Sequence, residues 1–329
     1  MPKPLSRLEN SKWIAFGGSY PGSLAARFRA KYPHLTVGAV SSSAPMEARL
    51  NYKQFFEAVG EDLGTDCSRY IREATQQLDD ELKAGPTGWE SIKKQFNVCQ
   101  PLNGTDPMDV NTFLFALYMQ IGYSMISIEF EPNLPKIQTI CDIMTNTSGG
   151  SRALDRYSQL SKVFLQKQGY KCLSADYKSY VKYMQNKTIP VLKELIKQWT
   201  YQQCNEFGHF PTTALNDQPF AANIPIEYFT QRCADIYGPT FTPQYMQKQI
   251  DYTNEYYGTI STINITNTVF INHSLDPWHP LGVLHDLNNS TKAIYIHGTG
   301  HGRDMYNAKP TDPITIHWIP GTHWEYYMI

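Results

Sequence analysis

Apolar and polar positions follow two rhythms along this chain. Near its start, Trp13-Ile-Ala-Phe16 is a short apolar run ending in Gly17-Gly18, and residues 12–18 read as a buried strand. Residues 22–31, closed by Tyr32-Pro33, read as a helix, and residues 36–41 as a second strand. Strand, tight turn, helix and strand make a βαβ unit with a parallel pair. From Met46 to about Tyr257 helical spacing takes over. Cys67, Ile71, Ala74, Leu78 and Leu82 fall three and four apart on one helix face, and residues 109–125, 151–168, 174–185 and 189–200 also read as helices. Strand patterns return at 267–272 and 292–297, with 280–287 as a candidate crossover helix. The pattern predicts an α/β chain whose parallel sheet is interrupted by a helical insertion. Residues 1–45 would be the first part of the sheet region, 46–257 the insertion, 258–313 the second part of the sheet region, and 314–329 a tail.

Composition narrows the class. The 329 residues are 41% hydrophobic and 13% aromatic, enough for a packed core rather than a disordered chain. A formal net charge of −1 supplies no field that would draw nucleic acid or an acidic membrane. No run of about 20 apolar residues is present to span a bilayer. All six cysteines, at 67, 99, 141, 172, 204 and 233, lie in the helical block and form no Cys-x-x-Cys pair. An even number confined to one region points to three disulfides, with buried free thiols as the alternative. Glycosylation sequons head at Asn103, Asn146, Asn186 and Asn264, with a further pair at Asn288 and Asn289. The Asn272 sequon follows an apolar strand and is expected to be enclosed. Met1-Pro-Lys-Pro carries no signal peptide, so the chain is expected to be a secretory-pathway protein without its beginning.

The chemistry sits at strand ends. Gly17-Gly-Ser19-Tyr-Pro-Gly22 lies between a strand and a helix, where a nucleophile elbow lifts a serine hydroxyl off the sheet. Gly17 removes a side chain that the turn would crush, Pro21 suits the first helical turn, and Gly22, Ala25 and Ala26 let the helix sit close to the sheet. The Tyr20 amide heads that helix and is positioned to donate to an oxyanion. A phosphate-binding glycine turn is the competing reading, but the Walker lysine and a Gly-x-Gly-x-x-Gly run are both missing. After strand 267–272 comes Asp276-Pro-Trp278, and after strand 292–297 comes Gly300-His301-Gly302. Ser19, Asp276 and His301 thus stand in the order and context of nucleophile, acid and base. His273 and His279 flank Asp276 and raise a metal site as a rival. No His-x-x-x-His pair or carboxylate cluster supports one, so no metal or cofactor is expected.

These pieces resemble the prolyl carboxypeptidase family of serine peptidases, which includes lysosomal Pro-Xaa carboxypeptidase, dipeptidyl-peptidase II and thymus-specific serine protease. The matching segments are Trp13 to Ala26, Lys31 to His34, Ser42 to Pro45, Trp199 to Gly208, Thr253 to Gly258, Asp276 to Trp278 and His301 to Asp304. The Trp199–Gly208 and Thr253–Gly258 pieces look most like the thymus-specific branch. The resemblance implies an α/β-hydrolase core with an inserted helical cap, a Ser19–Asp276–His301 triad, and cap disulfides Cys67–Cys141, Cys99–Cys172 and Cys204–Cys233. It implies cleavage after proline near one end of short peptides, in a lysosomal, endosomal or extracellular setting. Trp278 would then be a wall of the proline pocket, and Glu206 and Asp217 would lie in the cap segment that faces the substrate in relatives, where either one would bind a peptide amine. A peptide is the implied partner, with a homodimer as an option and neither nucleic acid nor membrane. Family members carry a long segment before the elbow and a long helix after the proline matching Pro313. Here only 18 residues precede Ser19, which would leave strand 12–18 as an uncovered apolar edge, and residues 314–329 do not resemble that helix. Arg27 stands where relatives usually carry an aromatic. A catalytically weak shortened homologue and an α/β-hydrolase esterase are the alternative functions.

Overall fold

The computed structural model describes residues 11–186 and 191–318. Two compact units divide the chain: residues up to Glu47 together with those from Asn254 onward, and Ala48–Thr253.

The first unit is built on a four-stranded parallel sheet in the order β1-β2-β5-β6. Its strands are β1 (Ile14–Gly18), β2 (Gly38–Ser42), β5 (Thr268–His273) and β6 (Thr291–Ile296). The helix α1 (Tyr20–Lys31) joins β1 to β2. Alternation along β5 explains the two-sided burial. Phe270 packs with Ala26, Ala44, Met46, Ile265 and Val283 in one cluster. Ile271, one residue on, packs with Ile296 and Ile316 in another. The parallel pairing and all four strands agree with the sequence pattern to within two residues at each end.

Two expectations need correction here. The strand at 12–18 was expected to be buried, but β1 is an edge strand among the described residues, and Ile14 and Phe16 are 51% and 43% exposed. Among the described residues its strand partner is β2 alone. Residues 280–287 form no crossover helix. A single 3₁₀ turn covers His279–Leu281, and the rest is irregular. The reason is that this segment is pinned flat against β5. The Asn272 side chain donates to the Val283 carbonyl at 2.8 Å, and a Cβ at Gly282 would lie 2.2 Å from Asn272 Oδ1. In the tail, Ile314–Trp318 makes one short helix, α12, while residues 319–329 lie outside the described residues.

The second unit is helical. It holds α2 (Gln54–Leu63), α3 (Thr65–Lys83), α4 (Pro86–Phe96), α5 (Pro107–Ile126), α6 (Ile137–Thr145), α7 (Ala153–Gln168), α8 (Tyr177–Gln185), α9 (Val191–Gln202) and α10 (Ile226–Tyr237), and α11 (Pro243–Tyr257) leads out of it. The predicted helix at 189–200 corresponds to α9, its first two residues lying outside the described residues. Cys67, Ile71, Ala74 and Leu78 are buried on one face of α3, and Leu82 is half-buried at its end. Asp106 caps α5 by accepting from the Met108 and Asp109 amides, ahead of Pro107 in the first turn. A two-stranded pair, β3 (Arg49–Asn51) with β4 (Gly208–Phe210), completes the unit. All six cysteines are paired, as Cys67–Cys141, Cys99–Cys172 and Cys204–Cys233. Asn103, Asn146, Asn186 and Asn264 are exposed, and Asn272 is buried. No helix among the described residues is long and apolar enough to cross a membrane.

Candidate active site

Ser19 occupies the turn at the end of β1. It links β1 directly to α1 with φ 60° and ψ −136°, a left-handed conformation that a side chain rarely adopts. Its amide donates to the Ser42 carbonyl at 2.8 Å, which ties the turn to the end of β2. The glycines around it are sterically required. A Cβ at Gly17 would stand 2.1 Å from the Pro21 carbonyl oxygen, and one at Gly22 would meet the Ser42 carbonyl at 2.8 Å. The sequence reading of both positions, and of Pro21 in the first turn, agrees with this packing. Tyr20 is the first residue of α1, and no acidic residue in that first turn opposes the positive end of the helix. Arg27 on the same helix is buried, with its guanidinium 4.7 Å from the Tyr257 ring centroid, so a cation fills the place of an aromatic by stacking on one.

Asp276 and His301 are joined directly. Asp276 follows β5 and is fully buried; its Oδ2 accepts from His301 Nδ1 at 2.8 Å, and its Oδ1 accepts from the Trp278 amide at 3.0 Å. An ionised carboxylate can only accept, so Nδ1 carries the proton, and Nε2 of a neutral ring is left as a base. Burial alone would push the Asp276 carboxyl up. The His301 ring, the hydrogen bonds from His301 and Trp278, and the charge of His273 together hold it below the usual carboxylate range. Burial likewise works against a charged His301, but the Asp276 carboxylate, its hydrogen bond and the charge of Asp304 raise that imidazole above its ordinary value.

The His301 loop and the Ser19 turn attach to the same short stretch. Gly302 N donates to Ser43 Oγ at 2.9 Å, and Ser42 Oγ donates to Asp304. A Cβ at Gly18 would lie 3.2 Å from the Met305 side chain. Ser43, like Ser19, has positive φ, at 45°. The Ser19 hydroxyl makes no hydrogen bond to His301 among the described residues. Contacts of this kind are often long until substrate draws them in.

The remaining sequence candidates separate. Trp278 is half-buried beside Asp276. Glu206 lies in a π-helical turn, Gln203–Phe207, and Asp217 is exposed in a loop; both belong to the helical unit. His279 Nδ1 lies 2.9 Å from the Asp276 carbonyl, and His273 bonds Thr299 and Asp304. Among the described residues no group of three His, Cys, Asp or Glu side chains could hold a metal. Sequence reasoning assigned no role to Ser42, Ser43, Thr299 or Asp304. A histidine closing an apolar strand three residues before the acid, with an aspartate three residues after His301, was the available signal.

A parallel sheet with a strained serine turn at the end of β1, and an Asp–His pair following the ends of β5 and β6, defines an α/β-hydrolase-like protein. The model of the serine carboxypeptidase S28 family matches residues 1–319, and the chain belongs to that family. A Caenorhabditis elegans homologue named as a candidate serine protease is 32% identical over 96% of this chain and 64% of its own length. Mouse thymus-specific serine protease is 30% identical over 92% of this chain and 60% of its own, and mouse lysosomal Pro-X carboxypeptidase 26% identical over 96% and 63%. The chain therefore spans about three-fifths of the length of these relatives.

Proposed function

We propose that this protein is a serine exopeptidase of short peptides, cleaving after proline through an acyl-enzyme. Ser19 attacks the scissile carbonyl, and His301 Nε2 takes the hydroxyl proton and later delivers it to the leaving amine. Asp276 holds the ring tautomer and stabilises the imidazolium. The Tyr20 amide, at the positive end of α1, stabilises the oxyanion. The observation that carries this reading is the buried 2.8 Å Asp276–His301 bond, whose loop is anchored to the Ser42-Ser43 stretch that also receives the Ser19 amide.

Specificity for proline rests on the relatives. A lysosomal Pro-X carboxypeptidase is among them, and the flat face of Trp278 suits a pyrrolidine ring. Either Glu206 or Asp217 is assigned to a peptide amine on the same footing. The three disulfides fit an oxidising compartment, which supports a secretory-pathway location. The test is labelling by a fluorophosphonate probe. Wild type should react and Ser19→Ala should not; equal labelling of the two would remove Ser19 from the mechanism. Faster turnover of simple acyl esters than of Pro-Xaa peptides would make the protein an esterase instead.

A further inference from the structure

A second buried histidine–aspartate pair, His273 with Asp304, contains none of the proposed reacting groups. His273, the last residue of β5, has no solvent exposure, and Asp304 is almost as enclosed. The ring uses both nitrogens. Nε2 lies 2.8 Å from Asp304 Oδ1, and Nδ1 lies 2.8 Å from Thr299 Oγ1. The carboxylate accepts, so Nε2 carries the proton, and in the neutral ring the Thr299 hydroxyl donates to Nδ1. Thr299 has the Ile296 carbonyl as its other acceptor, but at 3.5 Å, so the shorter bond to the ring is the stronger claim on its proton.

The two residues that this ring bonds are Thr299 and Asp304, and His301 lies between them in the chain. One imidazole thus spans both ends of the loop that carries the proposed base. The same stretch of backbone is fastened around the ring. Ser274 N donates to the Ile296 carbonyl at 3.0 Å, Leu275 N to the Thr299 carbonyl at 2.9 Å, and Ser42 Oγ to Asp304. The loop itself contains Gly298, Gly300 and Gly302, two of them at positive φ, so its own backbone confers little stiffness.

We infer that His273 is a positioning residue: bonded to Thr299 and Asp304, it clips the glycine-rich 298–304 loop to the end of β5 and so holds His301 against Asp276 and toward Ser19. The inference rests on the triad proposed above. A purely packing histidine would affect stability without a selective loss of kcat, and the experiment reads that difference.

The experiment compares wild type, His273→Ala and His273→Gln by kcat and KM on a Pro-Xaa peptide and by the rate of fluorophosphonate labelling. Loss of alignment by about an ångström corresponds to a roughly 100-fold fall in kcat for the alanine variant, with KM changed less than about threefold and labelling slowed in parallel. Glutamine, which retains an N–H able to reach Asp304, should restore about tenfold of that loss. A folded alanine variant with kcat near wild type, a loss carried by KM, or a glutamine variant that melts like wild type without recovering activity would each overturn the inference. Should the alanine variant fail to fold, Thr299→Val cuts the clip at its other end. It should lower kcat without raising KM, and an unchanged kcat would refute the role. Ser19→Ala separates this from the parent reading. If Ser19→Ala still labels, the triad falls and takes the clip with it; if it does not label and the His273 variants are fully active, only the clip is wrong.

Discussion

His301 Nδ1 and Asp276 Oδ2 meet at 2.8 Å in a buried pocket, although 25 residues and a whole strand separate them in the chain. In the proposed mechanism Asp276 holds the ring in one tautomer, so its removal should change chemistry rather than binding. Asp276→Asn keeps the shape but reverses the hydrogen-bond polarity. It should lower kcat by about 10⁴-fold with little change in KM. Steady-state kinetics on a proline-containing peptide would measure this, and an equal rise in KM would point to a folding defect instead.

In the proposed mechanism the same pair sets the pH dependence. The base must be neutral to accept the serine proton, and its neighbours raise its pKa above 6.5. A raised pKa keeps the ring protonated to higher pH, so the acid limb of kcat/KM should have its midpoint above 6.5, not below it. Asp276→Asn removes the carboxylate and should move that limb to lower pH. A wild-type limb well below 6.5 would contradict the assignment of His301 as base.

Gly17 tests the turn itself. Its Cβ position lies 2.1 Å from the Pro21 carbonyl oxygen, which belongs to the backbone and cannot rotate away. Gly17→Ala should therefore destabilise the protein by about 1–3 kcal/mol, the usual cost of overpacking, and displace Ser19. Thermal melting together with fluorophosphonate labelling checks both parts. Gly298→Ala, in open space but at φ 78°, should cost less and leave labelling in place.

Trp278 separates binding from chemistry. If its ring is the floor on which proline rests, Trp278→Ala should raise KM for Pro-Xaa peptides by roughly 10- to 200-fold, the range for losing an apolar pocket contact. The rate of labelling by a small fluorophosphonate should change little. A parallel loss of both would assign Trp278 to the Asp276 turn, whose Oδ1 its amide already bonds.

The disulfides should not be equivalent. Cys67–Cys141 closes 74 residues of chain and Cys204–Cys233 closes 29. On loop-closure entropy their removal should cost about 4.5 and 3.6 kcal/mol respectively. Denaturant titration of the two double Cys→Ser variants would rank them, and the reverse order would mean that packing rather than chain entropy dominates.

Much of the local structure was readable along the chain because it depends on neighbours in sequence. Gly17, Pro21 and Gly22 announce a strand-to-helix turn, since few other residues survive those contacts. The spacing of Cys67, Ile71, Ala74 and Leu78 announces a buried helix face. The segment 280–287 misled because its apolar residues suit a helix, while the Asn272 side chain and the close approach of Gly282 press it flat on β5. The exposure of β1 was equally hidden from local pattern. An apolar strand reads as buried whether or not a neighbour pairs with its outer edge.

What the sequence by itself determined is the four sheet strands in chain order, the helical block between them, the serine turn, and the places of Asp276 and His301 after later strands. All of these follow from side-chain size, backbone freedom and short-range periodicity. Only the tertiary structure decided which hydrogen bonds those residues make. His273 is one of two histidines that flank Asp276 in the chain, with nothing in its immediate neighbours to distinguish it. Its bonds to Thr299 and Asp304 exist because two parallel strands end side by side and bring residues about 30 positions apart into one buried pocket. Burial then makes each of those bonds costly to leave unmade, and no one-dimensional pattern carries that condition.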